Sequence, residues 1–126
     1  MTMRFARLGA AALATALIAA AAAPVAAAPW YVVTEISETL DAEAYGKAVA
    51  AAEPIATKSN GGTFVVRSNK AVELDGGAAP SRVIVIRFDS EAQARAWKES
   101  PAIRALHAVR VTATRSRSFL VEGVAE

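Results

Sequence analysis

The stretch Ser81-Arg82-Val83-Ile84-Val85-Ile86-Arg87-Phe88-Asp89-Ser90-Glu91-Ala92-Gln93-Ala94-Arg95-Ala96-Trp97-Lys98-Glu99-Ser100-Pro101 joins an apolar run directly to an amphipathic helix. Val83 to Ile86 are four consecutive β-branched residues, so both faces of this strand are apolar and both require cover. Ser90 and Gln93 have capping-box spacing, which puts the helix start at Asp89 or Ser90. Ser100-Pro101 closes that helix. Pro101 suits the first position of another short one, whose buried side is Ile103 and Leu106.

Upstream, Trp30-Tyr31-Val32-Val33-Thr34-Glu35-Ile36 is aromatic and β-branched and reads as a first strand. Asp41 is placed to cap a helix with Glu43 in its first turn. Tyr45, Val49, Ala52 and Ile55 give that helix an apolar face, and Pro54 is expected to kink or divide it. Asn60-Gly61-Gly62 ends the helix, Thr63 to Ser68 forms a second strand, and the segment from Asn69 to Pro80 forms an exposed loop. The loop's glycines are not a phosphate loop, since no helix and no Gly-Lys-Ser or Gly-Lys-Thr follows them. Downstream, Val111 to Glu122 reads as a long final strand, with Thr112, Thr114, Ser116 and Ser118 on one side and Arg115, Arg117 and Phe119 on the other. The order is βαββαβ, an α+β ferredoxin-like pattern with two helices on one face of a four-stranded antiparallel sheet. Those helices cover one face only. The doubly apolar third strand therefore predicts a homodimer, two sheets packing into an α+β barrel.

The first residues belong to a different kind of segment. Arg4 and Arg7 precede an uncharged, alanine-dominated run from Leu8 to Ala23, and Pro24-Val25-Ala26-Ala27-Ala28-Pro29 supplies small residues for cleavage. This is the layout of a secretory signal peptide over 1–27, leaving a domain over 28–126 and an exported protein, periplasmic or secreted. The run is too short and too rich in alanine for a stable membrane anchor. Cleavage removes Arg4 and Arg7 and no acid, which brings 14 basic residues to 12 against 12 acidic ones. The net charge of +2 therefore resides in the leader, and no basic cluster with interleaved aromatics points to nucleic acid. Cysteine is absent, which excludes disulfides, thiol catalysis and cysteine metal sites.

Several residues in this order carry a family likeness: Gly61-Gly62 before a strand, Leu74-Asp75-Gly76, Ser81-Arg82, Phe88-Asp89-Ser90, Ala94, Trp97, Ser100-Pro101, Arg110, and Phe119-Leu120-Val121-Glu122-Gly123. From Tyr31 to Gly123 the chain resembles the DUF1330 family of small dimeric α+β barrel proteins. The resemblance implies the fold and the dimer, and no particular chemistry.

Candidate site residues are few. His107, the single histidine, and Tyr45 are the candidates for moving protons, with an exposed helix position as the plainer reading of His107. Arg82 begins a buried strand and must pair, with Glu35 or Glu122 as partners, or bind an anion at a cleft mouth. Arg110 suits either a helix C-terminus or a ligand. Tyr31 and Tyr45 can line a pocket at the junction of sheet and helix, and Trp97 reads as a core anchor ahead of a stacking platform. No triad, carboxylate pair or metal-type spacing stands out, and no cofactor or metal is expected. The leading expectation is an exported homodimer binding a small apolar or aromatic molecule beside its sheet. The alternatives are a cofactor-independent oxidoreductase or isomerase using the same pocket, and a purely structural or protein-interaction domain.

Overall fold

The computed structural model describes residues 27–126, so the leader read from the sequence lies outside the described residues but for Ala27. Seven elements follow: β1 (Trp30–Thr39), α1 (Ala42–Ser59), β2 (Thr63–Ser68), β3 (Arg82–Phe88), α2 (Glu91–Glu99), α3 (Pro101–Ala113) and β4 (Thr114–Glu122). The four strands form one antiparallel sheet in the order β2-β3-β1-β4. This is the ferredoxin-like α+β arrangement, with the long interval between β3 and β4 filled by two helices.

Local chemistry sets the boundaries. Asp41 Oδ1 accepts from the Ala44 amide at 3.0 Å and starts α1. Ser90 Oγ accepts from the Gln93 amide at 3.2 Å, while Gln93 Oε1 accepts from the Asp89 amide at 3.0 Å, so the start of α2 is capped from both directions. Gly61, at φ 78°, supplies the left-handed step after α1. At Gly62 the constraint is space: a Cβ there would stand 2.8 Å from the Phe88 ring and 2.8 Å from Thr57 Cγ2.

The core lies between the helices and one face of the sheet. Ile36, Ile84, Ile86 and Phe88 from the strands meet Ala52, Ala56, Ala94, Trp97, Ile103 and Leu106 from the helices. The Trp97 ring lies 5.7 Å from that of Phe88 at 51°, and its Nε1–H donates to Thr57 Oγ1 at 3.0 Å, tying α2 to α1. Across the other face runs the row Val66–Val85–Val33–Phe119, one residue from each strand in register. Val66 and Phe119 are 40% and 41% exposed, and among the described residues no helix covers this face. Among the described residues no helix is long and apolar enough to cross a membrane.

Three expectations are corrected. The final strand does not begin at Val111: Val111 to Ala113 complete α3, whose buried positions Ile103, Leu106, Arg110 and Ala113 keep helical spacing to its end. Thr114 then closes the helix, its hydroxyl donating to the Arg110 carbonyl at 2.8 Å. From Thr114 onward the predicted alternation is present, with Ser118 toward the helices, its hydroxyl 2.7 Å from that of Thr34. Second, α1 runs through Pro54 as one helix and is not divided. Third, Ile55 is 73% exposed while Glu53 is 3% exposed, so the buried face of α1 runs through Tyr45, Ala52, Glu53 and Ala56.

Candidate functional site

Tyr45, Val49 and Glu53 recur at intervals of four on α1 and so lie along one stripe facing the sheet. Opposite them, Arg110 projects from α3 and is 5% exposed. From the sheet, β3 supplies Arg82 and β2 supplies Arg67. A register shift between Phe64 and Val66 places Arg67 opposite Ile84, which brings it to the helix side together with Phe64. The Arg67 guanidinium also sits 4.6 Å from the centre of the Phe64 ring.

Four of these side chains, Tyr45, Val49, Arg67 and Arg82, line a cleft of about 390 Å³ between α1 and the β2–β3 edge, together with Thr39 and Gly46 among others. Two buried polar atoms beside it have no hydrogen-bond partner, Tyr45 Oη and Glu53 Oε1. Arg82 is held from outside, its Nη1–H donating to Asn69 Oδ1 at 2.7 Å, and lies near Tyr45 without a well-formed bond to it. Gly46 leaves open space: a Cβ there would meet no heavy atom within 4 Å.

Burial dominates the electrostatics. It pushes the Tyr45 phenol up, helped by the Glu53 charge and opposed by Arg110 and Arg82. It likewise raises the Glu53 carboxyl above the ordinary carboxylate range, against the opposing pull of Arg67, Arg110 and Arg82. Arg110 is lowered by burial, with Tyr45 and Glu53 pulling it back. Three guanidiniums thus face one carboxyl, and positive charge is in excess around the cleft.

The site residues named from the sequence are only partly brought together. Arg82 and Tyr45 share the cleft, and Arg110 lies behind them. Arg82 pairs with neither Glu35 nor Glu122; Glu35 instead accepts from Arg117 at 3.1 Å on the opposite face of the sheet. Arg115 likewise pairs across strands, with Glu38 at 3.0 Å. His107 is exposed, lining a surface hollow with Lys98, Glu99 and Arg104. Its Nδ1 lies 3.3 Å from Arg110 Nη2, and burial, Lys98 and Arg110 lower its pKa. Tyr31 stands on the open face beside Arg87 and Val121. Trp97 is 3% exposed and anchors the core. A second hollow of about 330 Å³, beside α2 and β4, is lined by Val32, Ala94, Lys98, Phe119 and Leu120 among others, and neither unpartnered buried atom lines it.

Glu53 and Arg67 did not stand out in the sequence. Glu53 had a signal, since it falls eight residues after Tyr45 with Val49 between. Arg67 had none, because only the bulge turns it toward the helices. Among the described residues no group of three or more histidine or acidic side chains is clustered to hold a metal ion.

Fold and site together define a small ferredoxin-like α+β domain with a polar cleft on its helix side. The chain belongs to the family described as "Domain of unknown function (DUF1330)", whose model matches residues 29–124. Solved structures with the same fold include a protein of unknown function from Rhodopseudomonas palustris, 17% identical, with a TM-score of 0.64 over 82% of this chain and 88% of that one. Another, from Nitrosomonas europaea, is provisionally described as an antibiotic biosynthesis monooxygenase; it is 14% identical, with a TM-score of 0.56 over 75% of this chain and 98% of that one. A NIPSNAP family protein of unknown function from Agrobacterium tumefaciens is 13% identical, with a TM-score of 0.52 over 79% of this chain and 91% of that one. No curated protein matches the chain.

Proposed function

We propose that this is an exported homodimer that binds a small, largely apolar molecule in the cleft between α1 and the β2–β3 edge. The observation that carries the binding reading is Tyr45, which lines an open cleft and whose buried hydroxyl has no partner. Leaving such a group unsatisfied costs about 1–3 kcal/mol, recovered if the ring turns on binding to present the hydroxyl to an occupant's polar end. The cleft's size falls in the range of ordinary small-molecule sites, roughly 300–1,000 Å³.

The second copy belongs on the other face. The row Val66–Val85–Val33–Phe119 is flanked by Arg87 on one side and by the Glu35–Arg117 pair on the other, an apolar centre with a charged rim. Pairing there leaves the helix-side cleft free. Export rests on the charge and alanine pattern of the leader. As a proton-transfer site the same cleft offers Tyr45 with Glu53 behind it, whereas His107 lies outside.

Native mass spectrometry of the purified protein tests both parts. The expected spectrum shows twice the chain mass, with added mass from a co-purified or library compound. A monomer that binds nothing across a library of small apolar and aromatic molecules would overturn the proposal.

A further inference from the structure

We infer that the occupant of this cleft carries a carboxylate, gripped by Arg67 and Arg82, and that its uncharged body lies over Gly46 and Val49. The inference rests on the cleft reading above and adds the chemical class of ligand.

Charge is the first argument. Arg67 from β2 and Arg82 from β3 both line the cleft, and Arg110 lies close enough to act on Tyr45 and Glu53. Against three cations the described cluster holds one carboxyl, that of Glu53, and its Oε1 accepts no hydrogen bond from any of them. Arg82 spends one donor on Asn69, and Arg67 lies over the Phe64 ring. Their remaining N–H groups suit a planar two-oxygen acceptor, the geometry in which guanidinium and carboxylate pair most strongly.

Space is the second, independent argument. Gly46 sits inside α1, where glycine is less favourable than alanine by roughly 0.5–1 kcal/mol. Its backbone is not in the left-handed region, and a Cβ would touch nothing. Neither conformation nor packing within this chain accounts for a glycine here. An occupant lying against the helix does. Beside it the lining is apolar or small, from Ala42, Val49 and Ala50, which suits a hydrocarbon or aromatic body and not a polyanion.

The test is isothermal titration calorimetry with matched pairs, benzoate against benzamide and hexanoate against hexanamide. The wild-type protein is expected to bind the acid at least about tenfold more tightly than the amide, the scale of one charge-assisted pair. Arg82→Gln and Arg67→Gln should each reduce that preference, while Gly46→Leu should abolish binding of both members with the native circular dichroism retained. Gly46→Ala, a smaller intrusion with better helix propensity, provides a second variant at that position should the leucine not fold. Equal binding of acid and amide would overturn the carboxylate inference and leave the cleft reading standing. An acid preference that survives both arginine substitutions would overturn it as well. Failure of every acid and every amide to bind would remove the cleft reading with it.

Discussion

The bond between Trp97 and Thr57 is the point at which stability and site geometry meet. Trp97 Nε1–H donates to Thr57 Oγ1 at 3.0 Å, with the two residues 3% and 1% exposed. Thr57 is one turn beyond Glu53 on α1, so this bond sets how α1, and with it Tyr45 and Glu53, lies over the sheet. Trp97→Phe keeps an aromatic ring beside Phe88 but removes the donor, leaving a buried hydroxyl without that partner. The loss is about 1–3 kcal/mol for the hydrogen bond, with a further contribution from the volume removed. Thr57→Val nearly preserves shape and strands the indole N–H instead, at a similar cost. In the double variant both polar groups are gone, so its destabilisation should fall short of the sum of the singles by about 0.5–3 kcal/mol. Urea unfolding at one fixed protein concentration, with unchanged slope, measures all four species. Destabilisations that add to within about 0.3–0.5 kcal/mol would show that the two groups are not coupled.

Two further outcomes are expected. Val85→Arg, at the centre of the open face between Val33 and Val66, should convert the proposed dimer to a monomer in sedimentation velocity without loss of helical circular dichroism; an unchanged sedimentation coefficient would place the dimer elsewhere. Glu53 should give stability a pH slope of definite sign. Its folded-state carboxyl is raised, so its contribution is complete below the ordinary carboxylate range and is lost as pH rises through its elevated pKa. The groups facing it are Tyr45 on its own helix, Arg67 and Arg82 on the sheet and Arg110 on α3. His107, which contacts Arg110, acts in the opposite sense: its lowered pKa makes stability fall as pH drops below the imidazole range. Comparing urea midpoints of wild type and Glu53→Gln between pH 4 and 8 isolates the Glu53 slope, and parallel curves would show that Glu53 does not titrate differently on folding.

Much of the fold could be read from side-chain pattern because the deciding signals are local. Val83 to Ile86 form the strand their β-branched run predicts, Ser90 and Gln93 cap the helix they were expected to cap, and Ser100-Pro101 divides α2 from α3. The errors arose where local and tertiary signals compete. Val111 and Thr112 favour strand by propensity, yet the packing of Arg110 and Ala113 against the core carries the helix past them. Ile55 looked like core, but the orientation of α1 exposes it and buries Glu53 instead. The site was less legible than the fold. Arg82 and Tyr45 were recognisable as polar groups in apolar surroundings, but Arg67, which joins them at the cleft, turns inward only through the β2 bulge. A bulge leaves no mark in Phe64-Val65-Val66-Arg67 that sequence alone distinguishes from regular alternation.

Small molecules are proposed to bind against α1 at Tyr45 and not on the open sheet face or in the hollow beside α2. The most direct measurement is an amide chemical-shift map of the purified protein titrated with benzoate. Shifts centred on Gly46, Val49 and Ala50, with Arg67 and Arg82 at the facing edge, are the predicted result. Shifts centred instead on Val33, Val85 and Phe119, or on Ala94 and Leu120, would contradict it.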